Sequence, residues 1–223
     1  MRKKIYVSIA AVLAIAVFEF YMCYQVANSN PSLPKCYPTG EIFPYKDRYG
    51  NIKYDSVYHT IADFKLKDQN GKIFTNNLLK DKIYVANFFF VTCPSICPRM
   101  THQMARIQKA FKNNTAVALL SHTIDPEHDS VEVLKRYEQQ NKMDGNQWHL
   151  LTGLRRELYN LSKRSYYLGV ANDSPDSFEH SEKFVLVDNH RIIRGYYNGT
   201  DSTEVAKLMA DMRILLKEME MEK

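Results

Sequence analysis

The chain has 223 residues, of which 45% are hydrophobic and 12% aromatic, with a net charge of +5. That is enough for one sizeable packed domain with extensions, and too little for two full domains. The basic residues are scattered rather than clustered, which argues against a nucleic-acid partner.

Arg2, Lys3 and Lys4 precede a run from Ile5 to Phe18 that carries no charge and a single polar residue, Ser8. Glu19 interrupts it, and Phe20 to Tyr24 extend the apolar stretch. A basic start followed by such a run is an export signal or a single membrane anchor. Its uncharged core is shorter than the roughly 20 residues of an ordinary span. No A-x-A site follows at a suitable distance, and bulky Phe20-Tyr21-Met22 ahead of Cys23 is unlike a lipoprotein site. Residues 1–26 are therefore read as an uncleaved anchor, with a cleaved signal as the alternative. The domain is expected at the cell membrane, on the exported side (periplasmic or intermembrane-space). Residues 27–55 carry Asn, Ser, Pro, Gly and Tyr without a regular period and are read as a tether. Cys36, in its Pro-rich leader, is expected to be an incidental exposed thiol.

The domain is placed at 56–223. Ile61 to Leu66 alternates like a strand, and Asp68-Gln69-Asn70-Gly71 turns it into Lys72-Ile73-Phe74. Ile83 to Val91 is nearly all apolar, as a strand buried on both faces should be. Cys97, Met100, Met104, Ile107 and Phe111 recur at helical spacing. Ala116 to Ile124 predicts a second buried strand. Asp129 with Glu132 reads as a capping box for a helix through Leu134 and Tyr137. A strand at Trp148–Leu151 precedes a helix with Leu154, Leu158 and Leu161. Lys183–Val187 and Ile192–Tyr197 flank a hairpin turn at 188–191. Asp201 to Glu204 opens a last helix with Val205, Leu208, Met212, Leu215 and Met219 on one face. Strands alternating with helices, closed by a hairpin and a helix, predict an α/β sandwich around one central sheet.

The chemistry concentrates in Phe88-Phe89-Phe90-Val91-Thr92-Cys93-Pro94-Ser95-Ile96-Cys97-Pro98, at a strand-to-helix turn. With Cys97 in the first helical turn, the free amides there are expected to point at its sulfur and favour the thiolate. Pro94 and Pro98 stiffen the loop, and Pro98 fits a first turn, where its missing N–H costs nothing. Outside the cytoplasm, thiols oxidise unless a metal or a reductase protects them. A C-x-x-C pair at a helix start is the usual dithiol catalyst. The extra residue here leaves two sulfurs able to converge on a soft metal or to close a disulfide. As a metal site, two sulfurs are incomplete.

Seven histidines could complete it: His59, His102, His122, His128, His149, His180 and His190. His102 turns away from the Cys97/Met104 face, His190 falls in a hairpin turn, and His122 lies in an apolar strand, where a hydrogen-bonded core histidine is expected. His180 stands apart because it leads from the polar loop Ala171–Ser177 directly into a strand. Residue types alone do not choose among them. Met100 and Met104 on the cysteine face, and Met209, Met212, Met219 and Met221, are read as core and helix-face residues rather than metal ligands.

Cys93-Pro94-Ser95-Ile96-Cys97-Pro98 after an aromatic strand resembles the copper motif of the SCO/SenC proteins. Thr123-Ile124-Asp125-Pro126-Glu127-His128-Asp129 is similar to that family's next strand end, and His180-Ser181 ahead of Phe184 to Asp188 to its distal histidine block. The matches fall in order over roughly residues 58–218. The resemblance implies a thioredoxin-like fold, with a central mixed β-sheet flanked by helices. It implies copper, as Cu(I) with tolerance for Cu(II), held by Cys93, Cys97 and His180, with Asp125 in the second shell. It also implies delivery of copper to cytochrome c oxidase, or reduction of that enzyme's copper-site cysteines. The expected partners are the oxidase copper-site subunit and a copper donor or thiol reductase. A thiol–disulfide oxidoreductase of the same fold is the rival. A thioredoxin-type catalyst carries a proline just before the strand facing its cysteines, and here that place holds His180-Ser181.

Overall fold

The computed structural model describes residues 32–47, 49–168 and 181–222. The expected anchor over 1–26, the first residues of the expected tether and His180 lie outside the described residues. Among the described residues, no helix is long and apolar enough to cross a membrane.

The elements run β1 (Pro38–Lys46), β2 (Ile52–Tyr58), β3 (Lys65–Lys67), β4 (Ile73–Thr75), a 3-10 turn (Asn76–Leu79), β5 (Ile83–Phe89) and α1 (Ile96–Ala110). They continue as β6 (Val117–Thr123), α2 (Val131–Gln140), β7 (Trp148–Leu151) and α3 (Arg155–Asn160), which passes into a π turn (Leu161–Ser165). The hairpin β8 (Lys183–Val187) and β9 (Ile193–Asn198) and the last helix α4 (Ser202–Met221) close the fold.

The central sheet has the order β7-β6-β5-β8-β9. Strands β5, β6 and β7 are parallel, joined through helices, while β8 and β9 run antiparallel. Because both faces are covered, β5 is buried at every position, which is why it reads as a nearly continuous apolar run; the exception, Asn87, accepts from the Ser121 hydroxyl at 2.6 Å. Alternate residues serve opposite faces. Val85 and Phe89 pack with Met100 and Met104 of α1 and Leu208 and Met212 of α4. Tyr84, Ala86 and Phe88 pack with Leu158 and Leu161 and with Ile61, Leu66 and Phe74. The methionines on the cysteine face of α1 are core residues, as expected; Met104 is 0% exposed. The α/β sandwich around one central sheet expected from the element order is the fold observed, and the sheet is mixed, as the resemblance implied.

Two segments read as tether are built otherwise. Strands β1 and β2 pair antiparallel, with Ile42 opposite Ser56 and Tyr45 opposite Lys53. Both faces of this hairpin meet solvent: Ile42, Phe43, Tyr45, Ile52 and Tyr54 are all exposed. Without one-sided burial there is no alternation for the sequence to display. Ahead of it, residues 33–37 are strapped to the domain. Leu33 N–H donates to Glu218 at 2.6 Å, Arg194 donates to the carbonyls of Leu33 (2.6 Å) and Pro34 (3.1 Å), and Cys36 N–H donates to Ile193 O at 2.9 Å. Cys36 is accordingly half-buried, not exposed, and burial raises its thiol pKa.

His122 is fully buried, stacked on Phe88 with ring centres 4.8 Å apart and flanked by Tyr166 and Phe64. Its Nδ1 lies 3.4 Å from Asn87 O and its Nε2 has no hydrogen-bond partner among the described residues. The expected core histidine is therefore only half satisfied, and burial lowers its pKa from 6.5 to about 4. The unfolded chain takes up this proton near pH 6.5 and the native state only near 4. Stability is therefore full above the unfolded value and falls as pH drops from there towards 4. The full loss is about 3 kcal/mol for His122. His149, also lowered to about 4 by burial, adds to the same window. Urea midpoints between about pH 7 and pH 4 should show this decline, with a shallower slope in His122→Phe, which keeps the aromatic packing without the titration. Identical slopes would contradict it.

Candidate functional site

The last ladder rung of β5 is the Ile124 N–H bond to Phe89 O, at 2.9 Å. Beyond it the chain turns across the C-terminal edge of the parallel strands, where α/β folds place their sites. Cys93 N–H donates to Phe90 O at 3.3 Å, and three residues later α1 begins. Ser95 stands at the N-cap but accepts no hydrogen bond with its side chain. A sulfur takes that part. Cys97 N–H donates to Cys93 Sγ at 3.5 Å, and the amides of Ser95 and Ile96 also face it. Pro98 sits in the first turn, where a free N–H would have had no partner.

This assigns the two thiols opposite characters. Burial works against a Cys93 thiolate, but the amides of Ser95, Cys97 and Ile96 and the Cys97 thiol outweigh it, so its pKa lies below the ordinary value. Burial pushes the Cys97 thiol up to about 12, and the neighbouring Cys93 and Asp129 add to the rise. The sequence expectation had the helical amides serving Cys97, and the structure reverses it. A side chain in the first turn points back and inward (Cys97 is 2% exposed, within the core under β5), while Cys93 lies ahead of the amides. The two side chains are within hydrogen-bonding reach of each other, and both cysteines are free.

Asp129 closes the loop from behind. It was expected to cap α2, but Ser130 is the N-cap, its hydroxyl accepting from Val133 N–H at 3.4 Å. Asp129 turns inward instead and is 1% exposed. Its carboxylate accepts from Val91 N–H at 3.2 and 3.4 Å and from the Thr123 hydroxyl at 2.5 Å. Burial raises its pKa against the pull of those donors. Asp125, the acid expected near the cysteines, directs its carboxylate to His128 at 2.9 Å and to Arg155 at 3.8 Å. The acid that acts electrostatically on Cys97 is Asp129. Tyr137, half-buried, packs on Phe89 with centroids 5.5 Å apart and bonds the Thr101 hydroxyl at 2.7 Å. Both cysteines act on its phenol, whose pKa is raised first by burial. Sequence reasoning read Asp129 as a cap and Tyr137 as a helix-face residue. The only available signal was that Asp129 and Ser130 are both capable caps, which leaves one of them for other work.

Among the described residues, no group of three or more His, Cys, Asp or Glu side chains is arranged to hold a metal. His102 and His190 are exposed, as expected, and His180 lies outside the described residues. The described part of the site is thus a pair of buried soft donors. Such a pair can take up a soft cation, or close into a disulfide with loss of two electrons and two protons.

A family model described as SCO1/SenC matches residues 53–217 of this chain. A SCO2-like protein of Rickettsia typhi is 30% identical over 185 residues, covering 80% of this chain and 85% of the relative. Among solved structures, BsSco, described as having a disulfide switch and as a member of the Sco family of cytochrome c oxidase assembly proteins, is 28% identical with a TM-score of 0.63. That alignment covers 73% of this chain and 96% of the other. Copper-bound ScoI of Bradyrhizobium japonicum is 25% identical with a TM-score of 0.57, over 70% of this chain and 99% of the other.

Proposed function

Because the chain belongs to the SCO1/SenC family, we propose that it is an exported copper-binding factor in the assembly of cytochrome c oxidase. The observation that carries this reading is the hydrogen-bonded pair of free thiols at the start of α1. In the proposed site Cys93 and Cys97 supply two sulfurs and His180 the third donor, a set that suits Cu(I) and tolerates Cu(II). Copper is cargo here. A three-coordinate ion with an open side passes to the oxidase copper-site subunit by stepwise exchange of sulfur ligands. Export through the N-terminal segment, retained as an anchor over 1–26, puts the thiols where copper is handled. Asp125 keeps an outer place, linked to the site through Thr123, whose hydroxyl accepts from Asp125 N–H at 3.0 Å.

The full chain, reduced and titrated with Cu(I) against a chromogenic Cu(I) chelator, is expected to bind one ion. His180→Ala should weaken retention by about 10- to 100-fold or more, at least what the loss of an outer-sphere partner costs a metal site. Unchanged affinity in that variant would remove His180 from the ligand set.

A second reading is favoured by the mutual reach of the two thiols. In it the reduced pair donates two electrons and two protons to the disulfide of an exported protein and is itself left as a disulfide. Rapid reduction of insulin disulfides by a chain that takes up no copper would promote it.

A further inference from the structure

We infer that Asp129 is a positioning residue for the thiol pair, acting through the single peptide plane between Phe90 and Val91. The inference rests on Cys93 and Cys97 being the working groups of the proposed function. The Phe90–Val91 peptide is trans, so its C=O and N–H point to opposite sides of one rigid plane. Its N–H is held by the Asp129 carboxylate at 3.2 Å, and its C=O receives the Cys93 N–H at 3.3 Å. Fixing one end of that plane fixes the other, and with it the backbone from which Cys93 Sγ meets the Cys97 amide. The carboxylate is itself aimed. Asp129 N–H is turned in by Asp125 O at 2.9 Å, and Thr123, in the last position of β6, grips the acid through its hydroxyl at 2.5 Å. The route from Asp129 to the sulfurs is therefore one carboxylate, one peptide and one amide, anchored on two adjacent buried strands. An acid 1% exposed, turned away from the helix end beside it and spent on a loop amide, has no equal use in capping.

Two substitutions separate geometry from charge. Asp129→Asn keeps an oxygen for Val91 N–H and can still bond Thr123. Asp129→Ala removes the grip on the peptide. In the full chain, the first readout is the dithiol–disulfide equilibrium of Cys93/Cys97 against glutathione. Each turnover oxidises the two thiols to one disulfide and cleaves one glutathione disulfide to two glutathiones. Cu(I) retention against a chelator is the second readout. Asp129→Ala is expected to move the equilibrium about tenfold toward the dithiol and to weaken Cu(I) by about 10- to 100-fold, the range for outer partners of a metal site. Asp129→Asn should stay within about threefold of the parent in both. Thr123→Val, which releases the carboxylate but leaves Asp129 in place, should fall between them. If Asp129→Ala does not fold, the Thr123→Val shift against an unmoved Asp129→Asn decides. Asp129→Ala or Thr123→Val with parental values in both readouts, whatever its melting temperature, would overturn the inference. A parent chain that takes up no Cu(I) would sink the copper reading alone, since the glutathione equilibrium still reports on Asp129.

Discussion

Cys97→Ala is expected to abolish useful copper retention, lowering Cu(I) affinity by more than about 100-fold, beyond what loss of an outer-sphere partner costs a metal site. Cys97 lies under the central sheet at 2% exposure and faces Cys93, so no other described side chain can take its place. The fold itself should survive. A buried Cys behaves as a small hydrophobe, and its truncation to Ala removes one sulfur from the core at a cost of about 1 kcal/mol. Cys93→Ala should lose copper equally but be less stable for a different reason. Its sulfur is the acceptor at the start of α1, where Ser95 gives no side-chain cap, and an unmade cap costs about 1 kcal/mol. Chelator competition and thermal melts on both variants test the pair of claims together. Cu(I) affinity within tenfold of the parent in either variant would show that the ion does not sit between these sulfurs.

Arg194→Met should cost about 3–5 kcal/mol of stability, as for breaking a buried ion pair from one side. Arg194 is 5% exposed and bonds Asp188 at 3.1 Å and Glu218 at 2.6 Å, while holding the carbonyls of Leu33 and Pro34. Met replaces its bulk but leaves Asp188, at 1% exposure, as a buried charge answered, among the described residues, by the N–H groups of His190 and Ile192. The double variant Arg194→Met/Asp188→Asn should recover part of the loss, because the amide needs no counter-charge. Urea unfolding of the parent and the variants measures this. A loss below about 1 kcal/mol would mean that water reaches the network and the pair is worth no more than a surface bridge.

Much of this fold was legible because burial writes itself into the sequence. β5 is apolar at all but Asn87 since both its faces are covered, and α1 and α4 show their buried stripes at helical spacing. The cysteine pair was legible for the same local reason, since a strand, a stiff loop and a helix follow one another without interruption. What escaped depends on neighbours distant in sequence. The β1–β2 hairpin, exposed on both faces, has no polar side to contrast with an apolar one. Asp129 looks like a cap until the 38 residues back to Val91 are folded onto it. Which sulfur receives the helical amides turns on whether the side chain leaves the backbone before or after them, and spacing alone does not carry that.

The strap over residues 33–37 also sets a polarity on the domain. Strand β8 runs antiparallel to β5, so Val187 lies beside Tyr84, and Asp188 and Arg194 fall at the end of the sheet where β5 begins. Glu218, in the last turns of α4, meets Leu33 at that same end. The cysteines follow Phe89, at the other end, where Arg99 reaches Thr200 O just ahead of α4. Entry point and sulfurs are thus separated by the length of the sheet, about 20 Å for seven residues of strand. Chemistry at the thiol pair therefore does not require the strap, at the far end of the sheet, to be released.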